Sequence, residues 1–220
     1  MPSRKIPFVP GEIYHCFNRG VNKRTVFSSE TEFQYFLDCL ELFNQTESKG
    51  SMQAYRTKEN YLALKTQEVR PLVSVLSYCL LPNHFHLLLQ EECDDGITQF
   101  MRKVTTGYTM YFNKEHIRSG SLFQGQFKAV HINTDIQLRH VFSYVTLNYK
   151  VHKITTKTEF KSSYDEVLGT TKPKICNKDA LYKLLSTSDL AKLMQEHIQI
   201  TLSARKESDS YSTNNAELLE

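Results

Sequence analysis

The hydrophobic pattern of this chain switches between strand alternation and helical spacing in one order, and that order leaves few folds open. Glu12 to Arg19 alternates, with Ile13, His15 and Phe17 on one side and Tyr14 and Cys16 on the other, until Gly20 ends the run. Ser28 or Ser29 followed by Glu32 resembles a helix start. Phe33, Phe36, Leu37, Leu40 and Phe43 then recur at helical spacing to about Asn44. Residues 45 to 70 are polar and read as a loop or insertion, with a short helical piece at Asn60 to Thr66. Leu72 to Leu80 and His84 to Gln90 read as a second and a third strand, with Pro82 and Asn83 marking the turn between them. After the turn Asp94-Asp95-Gly96, Ile97 to about Glu115 reads as an amphipathic helix burying Phe100, Val104, Tyr108, Tyr111 and Phe112. Ser119-Gly120-Ser121 breaks it. A fourth strand follows over Phe127 to Ile132, and Asn133 or Thr134 can cap a third helix to about Tyr149.

Strand, helix, strand, strand, helix, strand is the order of an α+β fold with a ferredoxin-like βαββαβ core, an antiparallel sheet with helices on one face. The other face is left for a site, closed in part by the third helix. The core domain is expected over residues 1–164, followed by a small helical extension over 165–202 built from Asp179 to Ile200. The stretch from Ser203 to Glu220 is rich in Ser, Asn and Glu and is expected to be a disordered tail.

At 220 residues the chain can bury one good core. No run approaches the roughly 18 apolar residues of a membrane span, and Met1 to Pro7 lacks the apolar core of a signal peptide. Cytoplasmic residence with no membrane partner is the default expectation. The five cysteines include no C-x-x-C pair, so they read as thiols rather than as a zinc or redox motif.

Chemistry concentrates on the third strand. His84 and His86, two apart in a strand, project to one side, while Phe85, Leu87 and Leu89 project to the other. Two adjacent imidazoles on an open sheet face make a bidentate metal site. The segment from Met101 to Lys161 carries ten basic and three acidic residues, although the whole chain nets only +3. A basic segment beside a metal-ligand pair points to a polyanion as substrate, with a solvated charged face as the plain alternative.

The third helix supplies further candidates. Leu138, Val141, Phe142 and Val145 form its apolar stripe, and His140, Tyr144 and Asn148 share the neighbouring face. A tyrosine among polar neighbours at the edge of a packing face suits chemistry, and equally it can border a core with its hydroxyl in water.

Several motifs, in order, resemble the single-tyrosine HUH transposases, in particular their REP-associated tyrosine transposase branch. They are Tyr14-His15, Asn18-Arg19-Gly20, Val26-Phe27, Leu81-Pro82-Asn83-His84-Phe85-His86-Leu87-Leu88, Tyr111-Phe112-Asn113, Gly120 to Lys128, Tyr144-Val145-Thr146-Leu147-Asn148 and Ser162-Ser163-Tyr164. The resemblance runs from about Gly11 to Tyr164. It implies the same ferredoxin-like fold and a divalent metal, Mg²⁺ or Mn²⁺, held by His84 and His86 with Asn148 completing the set. It also implies Tyr144 as a nucleophile that forms a covalent 5′-phosphotyrosine with single-stranded or hairpin DNA and then rejoins strands. Related transposases include dimers with active sites assembled in trans, so a homodimer is open.

Arg19, Arg102, Lys103, Lys128, Arg139 and Lys150 are candidate phosphate contacts, and His15 and His140 candidate groups behind the metal ligands. Tyr108 and Tyr111 are rival nucleophiles whose spacing reads as core, Tyr149 faces away from Tyr144, and His131 could assist proton transfer. The family often has Asn-Pro where this chain has Asn148-Tyr149, and Gly-Arg where it has Gly125-Gln126. These positions keep in play a domesticated DNA-binding protein of the same fold without transposition. A metallohydrolase using water, with Tyr144 structural, is a third reading.

Overall fold

The computed structural model describes residues 7–47, 52, 70–172, 174–185 and 189–211. The alternating segments form β1 (Ile13–Arg19), β2 (Val73–Leu81), β3 (His84–Glu91) and β4 (Lys128–Ile132). The helical periods form α1 (Glu30–Leu42), α2 (Gly96–Glu115) and α3 (Asp135–Thr146). After these come α4 (Asn148–Val151), β5 (Lys161–Ser162), α5 (Tyr164–Leu168), α6 (Lys178–Leu185) and α7 (Leu190–Tyr211). The strands make one antiparallel sheet in the order β4-β1-β3-β2-β5, the ferredoxin-like core with a short fifth strand added at the β2 edge. The helical piece expected at Asn60 to Thr66 lies outside the described residues.

Local signals fix the helix starts. Ser29 Oγ accepts the Glu32 N–H at 3.3 Å, and the Glu32 carboxylate reaches back to the Ser28 N–H at 2.5 Å, so two donors at the start of α1 are satisfied. Thr134 caps α3 by accepting from the Gln137 N–H at 3.1 Å.

Alternation in β3 divides the molecule into two layers. Phe85, Leu87 and Leu89 are fully buried on one face. There Phe85 meets Phe36 of α1 at 5.1 Å between ring centroids, and Phe36 meets Tyr108 of α2 at the same distance. Each such ring taken out of water contributes about 1.5–3 kcal/mol, so this layer holds α1 and α2 to the sheet. The face carrying His84 and His86 is covered over β2 and β3 by α3, and α7 packs on α3 in turn.

The structure departs from the sequence expectation in two places. The third helix does not run on to Tyr149. It ends at Thr146, whose carbonyl accepts the Ser162 hydroxyl at 2.5 Å, and Asn148 opens a separate turn. At the C-terminus α7 continues past Ser203, where a disordered tail was expected to begin, as far as Tyr211. Among the described residues no helix is long and apolar enough to cross a membrane.

Candidate active site

Sheet register sets the site. Antiparallel pairing places Phe17 opposite His86 and Arg19 opposite His84, and paired residues project to the same face. His86 is buried and His84 is half-buried.

Each of the two imidazoles is held through Nδ1. Asn83 Nδ2 donates to the Lys23 carbonyl at 3.4 Å, which turns its Oδ1 toward His84. His84 Nδ1 lies 2.6 Å from that oxygen, so Nδ1–H donates and Nε2 is left as the ring's acceptor. His86 Nδ1 lies 2.8 Å from His15 Nε2. Burial pushes His15 down to about 4, so it is neutral at physiological pH. Burial, with like neighbours His15, His84 and His152, holds His86 well below the usual imidazole range. Donation from His86 Nδ1–H to His15 Nε2 leaves His86 Nε2 as its acceptor, the tautomer that a metal ligand needs.

Tyr144, on the last turn of α3, stands edge-on to both rings of this pair. Its ring centroid is 5.6 Å from that of His86 and 6.1 Å from that of His15. Asn148 lies one turn further on, fully buried, and neither atom of its amide has a hydrogen-bond partner among the described residues. A buried, unpaired carboxamide carries a desolvation cost of about 1–3 kcal/mol, which a ligand on its oxygen would offset. His152 follows after another turn, its ring 4.8 Å from that of His84. His152 escaped the sequence reading, although the spacing Tyr144, Asn148, His152 carries the signal. Among the described residues no three His, Cys, Asp or Glu side chains form a metal cage, so the candidate ligand set is two imidazoles and an amide oxygen.

Several expected site residues lie elsewhere. His140 turns away from the histidine pair toward α7, its ring 5.9 Å from His197, and burial lowers its pKa with help from that neighbour. Arg139 donates to the Leu185 carbonyl at 2.7 Å and so closes the end of α6. Arg102 and Lys103 sit on α2, the helix against the opposite sheet face, and Lys103 Nζ donates to the Gln45 carbonyl at 2.9 Å. The stripe of apolar residues that docks α2 on the Phe85 face carries both cations there. Lys150 is exposed, its ammonium 5.9 Å from the centre of the Tyr164 ring. Lys128 and Arg19 remain beside the histidines, on β4 and β1.

The rival groups are occupied. Tyr108 is fully buried and donates to the Val26 carbonyl at 2.5 Å. Tyr111 stacks on Tyr35 at 3.7 Å. Tyr149 stacks on Phe160 at 4.0 Å, and burial pushes its phenol up to about 12. His131 lies 2.7 Å from the Glu12 carboxylate.

The His15–His86 pair has a consequence for acid stability in metal-free protein. An unfolded histidine takes up its proton near pH 6.5, whereas folded His15 stays neutral to about 4. In that window only the unfolded state gains the proton, so stability is lost as pH falls, by at most about 1.4 kcal/mol per pH unit. Urea melts in chelator at pH 7, 5.5 and 4.5 are expected to show this loss, and His15→Gln a shallower one. An unchanged slope in the variant would exclude His15 as the source.

A family model described as IS200-like transposase matches residues 52–148, a span that contains His84, His86 and Tyr144 and ends on Asn148. No curated protein matches the chain in sequence. Among solved structures, that of a REP-associated tyrosine transposase bound to a REP hairpin superposes with a TM-score of 0.52 at 14% identity, covering 86% of this chain and 93% of that one. That likeness is one of fold. The family match lies across the strand and helix that build this site, so over that span the chain is similar to the IS200-like transposases.

Proposed function

We propose that the chain cleaves single-stranded DNA at hairpin ends through a covalent tyrosine intermediate and then transfers the strand. The observation that carries this reading is Tyr144 edge-on to His86, 5.6 Å away, on the face where both histidines are held through Nδ1. His84 and His86 would hold a divalent ion, Mg²⁺ or Mn²⁺, through Nε2, with the Asn148 oxygen as the harder donor that such ions prefer. When bound, that ion offsets the charge of the scissile phosphate and orients it.

Tyr144 Oη attacks phosphorus, the bond to the 3′-oxygen breaks, and the 3′-oxygen leaves as a hydroxyl while the phenol loses its proton. The product is a 5′-phosphotyrosine. It retains the ester bond, so a 3′-hydroxyl from another strand can reverse the step without an external energy source. His15 fixes the tautomer and orientation of His86, and Arg19 and Lys128 attract the backbone. The hairpin as substrate rests on the fold shared with the REP-hairpin-bound transposase.

Incubation with a labelled single-stranded hairpin and Mn²⁺, followed by a denaturing gel, is expected to give a labelled band at the size of protein plus DNA. Chelator is expected to remove it. Free cleaved fragment with no adduct would assign the attack to water, and binding without cleavage would leave a DNA-binding protein.

A further inference from the structure

Phe17 has no part in the chemistry described above, yet it occupies the centre of the same sheet face. Register puts Lys128, Phe17 and His86 in one row across β4, β1 and β3. Adjacent strands lie about 5 Å apart, so Phe17 is one spacing from His86 and Lys128 two, about 10 Å. That is the neighbourhood of a nucleotide flanking the scissile phosphate. The Phe17 ring stacks on His15 at 5.0 Å and 30° and on His86 at 5.7 Å and 22°, so the three rings form a near-parallel tier. The Lys128 ammonium stands 5.9 Å from the centre of the Phe17 ring.

This part of the face is open. α3 covers β2 and β3, Phe17 is only half-buried, and Val130 beside it, paired with His15, is 47% exposed. Lys128 is exposed and has no acidic partner among the described residues. No acidic residue stands at the positions of β1, β3 or β4 that share this face. An aromatic ring, a bare valine and unopposed positive charge, set against the candidate cleavage site, match a base and its phosphate. A protein partner would have to bring the anionic groups that DNA already carries.

We infer that Phe17 is the platform on which a base next to the scissile phosphate stacks, with Lys128 on the adjoining phosphate. The inference rests on the proposed DNA-cleaving function. The stack orders the strand over His86, so it favours one register of the phosphate against Tyr144.

The test is binding by fluorescence anisotropy, in Ca²⁺ in place of Mn²⁺, to a single-stranded hairpin in which one abasic site is walked along the strand. For the wild-type chain one abasic position is expected to weaken binding by about 5- to 150-fold, the range of one base stacked on an aromatic ring. Phe17→Ala is expected to weaken binding to the intact strand by the same factor and to ignore that abasic position. Phe17→Tyr is expected to restore both. Lys128→Ala is expected to lower the slope of log K against log salt by about 1. If Phe17→Ala binds the intact strand as wild type does, or its loss adds to that of every abasic position, the platform is excluded while the cleavage proposal stands. If the wild-type chain forms no complex with the hairpin, both fall.

Discussion

Tyr144→Phe is expected to abolish the covalent DNA adduct, with strand cleavage falling by at least about 10³-fold, while hairpin binding and thermal stability stay within error of wild type. Removing a nucleophile that forms the intermediate costs about as much as removing the whole catalytic unit, so the loss is set by what remains without covalent chemistry. The ring is kept in the variant, and with it the edge contacts to His86 and His15 at 5.6 and 6.1 Å. The hydroxyl itself has no hydrogen-bond partner among the described residues and Tyr144 is only half-buried, so its loss costs no more than about 0.5 kcal/mol. The paired control is Tyr149→Phe, expected to retain full activity, because its ring is stacked on Phe160 and its phenol is pushed up to about 12. Denaturing gels for adduct, anisotropy for binding and a melting curve separate the three quantities. An adduct that persists in Tyr144→Phe would move the nucleophile to another side chain.

The difference between what the chain's residues disclosed and what they hid is one of range. Alternation and helical spacing are local, so β1 to β4 and α1 to α3 were legible, and their order was enough for the sheet. The pair His84 and His86 was legible for the same reason, since strand alternation alone puts both on one face. The end of α3 was not. It depends on the Ser162 hydroxyl taking the Thr146 carbonyl, a contact with a residue of β5. His15 behind His86 was legible only as a candidate, because the 2.8 Å bond joins different strands. Charge misled where it was counted without direction. Arg139 and His140 were taken up by α6 and α7, helices of the extension that the sequence discloses without disclosing where it packs. Arg102 and Lys103 followed α2 to the other face.

The strand that presents the two histidines also starts the longest helix of the core, and this sets the second large effect. Asp95 precedes α2 with a left-handed backbone, φ 58°, and its side chain makes no capping bond. The cap comes instead from Glu91, the last residue of β3. It is fully buried, with one carboxylate oxygen accepting the Gly96 N–H at 2.9 Å and the other the Ile97 N–H at 2.7 Å. A carboxylate at a helix start also meets the positive end of the helix dipole. Glu91→Ala leaves two buried donors without acceptors, each costing about 1–3 kcal/mol, and opens a small cavity besides. The expected destabilisation is about 3–5 kcal/mol, which for a chain of this size lowers the melting temperature by roughly 6–20 °C. Glu91→Gln is expected to fall between, because an amide offers one acceptor and turns its NH₂ toward the second donor. Circular dichroism melts of the three proteins measure this directly. A melting temperature in Glu91→Ala within 2 °C of wild type, taken as about the error of such a melt, would show that water replaces the carboxylate at the helix start. Adduct formation at low temperature, where the variant is still folded, is expected to persist, because His84 and His86 are fixed from β1 and Asn83 rather than from the Glu91 end of the strand.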